Sequence, residues 1–206
     1  MKTEILACEA EDAIGRAVAV FQAGGLVAFP TDTVYGVAVP AFSQAGIDRL
    51  YEAKGRENTK AISVLIGGPE QLDLITPNLS ESAARLAQHF WPGGLTLVVS
   101  RRPELPTNLS PLPTIGVRMP NHAFAIALLK RCGPLATTSA NLSGGLDPQN
   151  AQDVLAQLDG RIELVLDGGA APGGVPSTVV DCTVAEPVIL RKGAISAEAI
   201  LATLKT

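Results

Sequence analysis

Apolar residues in this chain come in short, unbroken runs, and this restricts the fold before anything else is considered. LVAF (26–29), LTLVVS (95–100) and ELVLD (163–167) are too short to cross a bilayer and read as strands buried on both faces, which obliges helices to cover the sheet. That cover is readable between them. Residues 11–23 repeat apolar side chains at helical spacing and stop at Gly24-Gly25; 44–54, 81–91, 123–132 and the stretch near 151–158 repeat the pattern. Ser80 stands where it would cap the third of these, and Ser196 where it would cap a last helix at 197–204. Further strands are expected at 61–67, 114–119, 134–138, 177–183 and 187–192. The last two are joined only by the turn-like VAEP, so an antiparallel pair and a mixed sheet follow. The expectation is an α/β fold: a mixed sheet flanked by helices, in one domain spanning 1–206.

Composition removes several classes of function. Charged residues are 17% against 47% hydrophobic, which suits a packed globule rather than a disordered chain. The net charge of −4 carries no basic footprint, so nucleic acid would need a local patch, and aromatics at 4% offer little for stacking on bases. The N-terminus is too acidic for a signal peptide. Cys8, Cys132 and Cys182 are odd in number and far apart, which reads as reduced thiols in a cytoplasmic protein. There is no GxxxxGK[ST] loop, no GxGxxG after a strand and no nucleophile elbow. His89 and His122 fall in helical contexts without metal-spaced partners, so no metal site is expected.

What remains is a series of polar clusters, each at the end of an apolar strand. They are Thr31-Asp32-Thr33-Val34-Tyr35-Gly36; Lys54-Gly55-Arg56 with Lys60; Thr114 and Arg118; Thr137-Thr138-Ser139-Ala140-Asn141; Ser177-Thr178; and Arg191. Ligands of α/β proteins bind beyond strand ends, where short side chains from several strands converge. The cations suit phosphates and a carboxylate, while the hydroxyls and the amide supply neutral, oriented hydrogen bonds. Singly, each has a structural reading: a helix-end charge for Lys54 and Arg56, a turn hydroxyl for Thr33, a salt bridge for Arg118.

Together the segments FPTDTVYGVA, AKGR with Lys60, WPGGLTLVV, VRMP, TTSANLSG, DGG…PSTVVD and ILRKG resemble, in that order, the YrdC/TsaC family over about residues 10–195. The resemblance implies a YrdC-like (RibB-like) twisted sheet around a deep, positively lined cavity, here in the short, single-domain form with 196–206 as a terminal helix. It implies an L-threonylcarbamoyladenylate synthase, a nucleotidyltransferase that joins L-threonine, bicarbonate and ATP into threonylcarbamoyl-AMP and pyrophosphate. Further proteins then transfer the threonylcarbamoyl group to tRNA. Magnesium is expected on the phosphates, with weak contact to tRNA and none to membranes.

Carried over by position, Thr33, Arg118, Thr137 and Ser177 match the threonine pocket. Arg56, Lys60, Thr114, Ser139 and Arg191 match positions that hold ATP. Lys54, Arg56, Lys60, Ser139 and Asn141 complete the family's catalytic K-x-R…S-x-N signature. Asp32 is expected to orient loops, and Leu65 stands where some members carry a polar contact to threonine. Two other readings stay open: the same fold acting on another small substrate, and a nucleotide- or RNA-binding module without this activity.

Overall fold

The apolar runs pair into one mixed sheet. In the computed structural model, which describes residues 2–57 and 60–205, the strands are β1 (Glu4–Ala7), β2 (Val27–Phe29), β3 (Gly36–Pro40), β4 (Ser63–Leu65), β5 (Leu95–Ser100), β6 (Thr114–Arg118), β7 (Leu135–Ser139), β8 (Leu164–Asp167), β9 (Thr178–Asp181) and β10 (Val188–Arg191). Their order across the sheet is β1-β8-β2-β3-β7-β4-β6-β5-β9-β10. β1 and β2 flank β8 in parallel, as β4 does β6 and β5 does β9, while β3, β7 and β10 run antiparallel to their neighbours.

Six α-helices are described: α1 (Ala13–Gln22), α2 (Gln44–Lys54), α3 (Glu81–Phe90), α4 (Ala123–Cys132), α5 (Ala151–Leu158) and α6 (Ala197–Lys205). Local chemistry sets their starts. Ser43, Ser80, Asn150 and Ser196 each accept an N–H from the first turn of α2, α3, α5 and α6, at 2.9–3.2 Å. His122 stands immediately before α4, where it accepts the Ala125 N–H through Nδ1 at 3.4 Å.

Three features depart from the sequence reading. β1 carries Glu4 on an edge, and β3 begins at Gly36 and ends at Pro40; none of these is a strand former, and pairing rather than propensity makes the strands. The strand expected over 61–67 contracts to Ser63–Leu65, and a 3₁₀ helix follows at Pro69–Leu74.

Two apolar clusters sandwich the sheet. One joins Val37, Val64, Leu97, Val117 and Ala136 to the apolar stripes of α2, α3, α5 and α6. On the opposite face Val27, Ala38, Leu65, Leu135 and Leu164 pack under α1 and α4. Side chains two apart on a strand share a face. Thr137 and Ser139 therefore continue the Leu135 row, and Ser63 continues the Leu65 row, on the α1/α4 side. Here the apolar residues stop and hydroxyls begin, and here the pocket opens.

Candidate functional site

Register brings the polar clusters together. Gly36 pairs with Ser139, Ser63 with Thr137 and Leu65 with Arg118, so neighbouring strands deliver one residue each to the same patch. The pocket wall includes Thr33, Arg56, Arg118, Thr137, Ser139, Ser177 and Arg191. Each of these was expected from the sequence at the end of a strand or in a turn, Thr137 and Ser139 on the same one.

Arg118 is buried at the end of β6 and holds three fixed partners. Nε donates to Gly93 O at 2.9 Å, Nη1 to Thr33 Oγ1 at 2.8 Å, and Nη2 to the Asp32 carboxylate. A guanidinium has five N–H groups, so one on each terminal nitrogen is uncommitted among the described residues. Burial holds the guanidinium pKa below its ordinary value, opposed by the Asp32 charge. Asp32 thus orients the cation while Thr33 faces the pocket. Beneath them Thr31 Oγ1 accepts the Thr33 N–H at 3.2 Å and donates to Val34 O at 2.7 Å, tying the PTDT turn to itself.

Lys54 does not reach the wall. Gly55 closes α2 in the left-handed conformation (φ 57°), and this turn separates the two cations: Lys54 points into the protein and Arg56 into the pocket. The Lys54 ammonium donates to Ser139 O and Asn141 O, both at 2.5 Å, and to Asn141 Oδ1 at 3.1 Å. Its three hydrogens are then all used. Asn141 Oδ1 also accepts from Ser139 Oγ at 2.7 Å, and Asn141 Nδ2 donates to Gly145 O at 2.7 Å. Lys54 and Asn141 are therefore the frame of the 139–145 loop, and Ser139 is its face. Burial and the Arg56 cation push the Lys54 pKa down to about 7, against the Asp147 carboxylate.

Arg56 is anchored by Nη2 to Ala61 O at 2.9 Å, yet its Nε is buried with no partner among the described residues. Arg191, at the end of β10, donates to Ser177 O from Nε (3.1 Å) and Nη2 (2.9 Å) and to Ser177 Oγ at 3.1 Å. Burial lowers the pKa of both arginines, as expected when cations line a recess and await anions.

A strap from Gly168 to Pro176 crosses the PTDT turn. Tyr35 fixes one end, donating to Gly169 O at 2.7 Å and accepting the Gly168 N–H at 3.1 Å. In mid-strap a Cβ on Gly173 would lie 2.5 Å from Asp32 O and 3.1 Å from Thr33 Cα, so only glycine allows this approach.

Not every expected residue lies on the wall. Lys60 is exposed, and its carbonyl accepts the Tyr51 hydroxyl at 2.7 Å. Thr114 shares a sheet face with Arg118 but stands four residues, roughly 13 Å, along β6. Asp147, Ser63 and Thr96 do line the pocket and were not among the expected site residues. Ser63 and Thr96 sit inside apolar strand patterns, where nothing local separates a pocket hydroxyl from a structural one. The three cysteines are free and none lines the pocket, and burial pushes Cys8 and Cys182 up to about 12. Among the described residues, no cluster of three or more His, Cys, Asp or Glu could hold a metal ion, and no helix is long and apolar enough to cross a membrane.

Comparison with known proteins fits this geometry. The Sua5/YciO/YrdC family model, described as "Telomere recombination", matches residues 19–193. A threonylcarbamoyl-AMP synthase of Bacillus subtilis is 41% identical over 93% of this chain and 56% of its own length, so the chain spans little more than half of that protein. A putative threonylcarbamoyl-AMP synthase of Mycobacterium tuberculosis is 39% identical over 91% of this chain and 87% of its own. The crystal structure of Pyrococcus abyssi Sua5 complexed with L-threonine superposes with a TM-score of 0.93 at 37% identity, covering 98% of this chain and 61% of that one. With a family match across most of its length and relatives this similar, the chain belongs to the Sua5/YciO/YrdC family.

Proposed function

We propose that this protein is an L-threonylcarbamoyladenylate synthase, making threonylcarbamoyl-AMP and pyrophosphate from L-threonine, bicarbonate and ATP. The observation that carries the reading is the buried Arg118 fork: two uncommitted N–H groups beside the Thr33 hydroxyl suit an amino-acid carboxylate. The relative with the same fold and 37% identity was crystallised with L-threonine.

In this reading Arg118, Thr33, Thr137 and Ser177 hold threonine. Arg56, Ser139 and Arg191 meet ATP, with Lys60 and Thr114 contributing from outside the described wall. The uncharged threonine amine attacks the carbon of bicarbonate-derived carbon dioxide and gives up a proton. A carbamate oxygen then attacks the α-phosphorus, and the bond to pyrophosphate breaks. No side chain is bonded to substrate; the protein positions three reactants and neutralises charge gathering on the phosphates. A magnesium ion fits as the triphosphate's own counter-ion, since the wall offers it hydroxyls and the single carboxylate of Asp147 rather than a cage. The product, a mixed anhydride, goes to proteins that acylate tRNA, and the cytoplasm is the compartment assigned.

Purified protein given ATP and bicarbonate is expected to release pyrophosphate only when L-threonine is added, and less with serine or valine. Equal release with serine would assign another small substrate to the fold. Release with no amino acid at all, or none from folded protein, would end the reading. Gly173→Ala offers a sharper local check, because its methyl pushes the strap off the turn that carries Thr33. The threonine concentration for half-saturation is expected to rise about tenfold, the size of a modest overpacking cost, with that for ATP nearly constant.

A further inference from the structure

Hydroxyl groups on the pocket wall can be sorted into donors and acceptors by their partners. Thr31 spends its hydrogen on Val34 O at 2.7 Å, so in its 3.1 Å contact with Thr33 the latter is the donor. Thr33 then meets a ligand with a lone pair only, since it also accepts from Arg118. Thr137 donates to Leu135 O at 3.0 Å and Ser139 to Asn141 Oδ1 at 2.7 Å. Thr31, which also accepts the Thr33 N–H, is saturated, and Thr33, Thr137 and Ser139 offer a ligand lone pairs, which suits an ammonium or amine rather than an anion.

Thr96 and Ser177 differ. Their oxygens are 2.8 Å apart, and both residues are buried and line the pocket. Arg191 already donates to Ser177 Oγ. The pair owns two hydrogens and needs one between its oxygens, so one O–H has no protein acceptor among the described residues. Hydrogen bonds polarise one another along a chain, and the favoured direction runs away from the cation: Arg191 to Ser177, Ser177 to Thr96, Thr96 into the pocket. The neighbouring strand leaves room for this side chain, since a Cβ on Gly116 would lie 3.1 Å from Thr96 Cγ2.

We propose that Thr96 is a specificity-determining, substrate-binding residue whose O–H, backed by Ser177 and Arg191, donates to the side-chain hydroxyl of the bound amino acid. The proposal rests on the threonine reading above. With the carboxylate on Arg118 and the amine facing lone pairs, the side-chain hydroxyl is the acceptor left for the buried Thr96 O–H. Valine has the shape of threonine without that oxygen, so the pair should discriminate between them.

Calorimetric titration of L-threonine and L-valine into the intact protein and its Thr96→Val, Thr96→Ser and Ser177→Ala variants tests this. Thr96→Val is expected to weaken threonine about tenfold while valine changes less than about twofold, so the preference collapses. Thr96→Ser should stay near wild type, and Ser177→Ala, which keeps the terminal donor, should lose less than Thr96→Val. Equal weakening of both ligands, unchanged threonine binding in Thr96→Val, or a Thr96→Ser variant as poor as Thr96→Val would overturn the proposal while leaving the synthase reading intact. A wild-type protein that binds no threonine would remove both.

Discussion

Arg118→Lys is expected to lower kcat/KM for threonine by about 10²–10³-fold while leaving the KM for ATP within about threefold. The substitution keeps the positive charge and removes the fork. Arginine now serves Gly93 O, Thr33 Oγ1 and the Asp32 carboxylate and still has one N–H on each terminal nitrogen. An ammonium has three N–H groups in all, and from a shorter stem it cannot meet those partners and a carboxylate together. Two charge-assisted hydrogen bonds lost at about 1.5–2 kcal/mol each give the stated range. Steady-state kinetics with threonine varied at saturating ATP, and the reverse, separates the two substrates. A lysine variant with wild-type threonine kinetics would show that charge alone suffices and would take the carboxylate away from this residue.

The second large effect is expected at a residue that never meets the pocket. In Lys54→Met the volume is nearly conserved, but Ser139 O, Asn141 O and Asn141 Oδ1 lose their shared donor. Buried acceptors left unpaired cost on the order of 1–3 kcal/mol each, and relaxation of the loop recovers part of it, so a net loss of about 3 kcal/mol is expected. For a chain of this length that is a fall in Tm of roughly 6–12 °C. Well below the new midpoint, turnover is still expected to drop about 100-fold, because Ser139 is aimed by the same frame. Thermal unfolding followed by circular dichroism, with kinetics at 20 °C below the variant's midpoint, checks both parts. Turnover near the wild-type rate in a destabilised variant would reduce Lys54 to a purely structural clamp.

Much of the fold was legible because periodicity and caps are local. The helix starts at Ser80 and Ser196 and the antiparallel β9–β10 pair follow from residues within one or two turns of each other. β1 and β3 were not legible, since Glu4, Gly36 and Pro40 argue against strands and only the neighbours β8, β2 and β7 hold them there. The site divides in the same way. Thr33, Arg118, Ser139 and Ser177 stood out as polar groups where apolar runs end, and those ends meet in one pocket. Thr96 did not, because a threonine within LTLVVS looks like any β-branched strand residue.

Residue order by itself determined the class of the fold, the segments that carry chemistry and the family they resemble, because each depends on residue types at short spacing. The division of labour among those residues was decided only in three dimensions. Lys54 and Arg56 are two positions apart, yet the left-handed turn at Gly55 sends one to hold the loop and the other to line the pocket. Which hydroxyls donate and which accept depends on partners brought in from distant strands, as Arg191 and Thr96 are brought to Ser177. Hydrogen-bond polarity is a property of pairs, and the pairs exist only once the sheet has set its register.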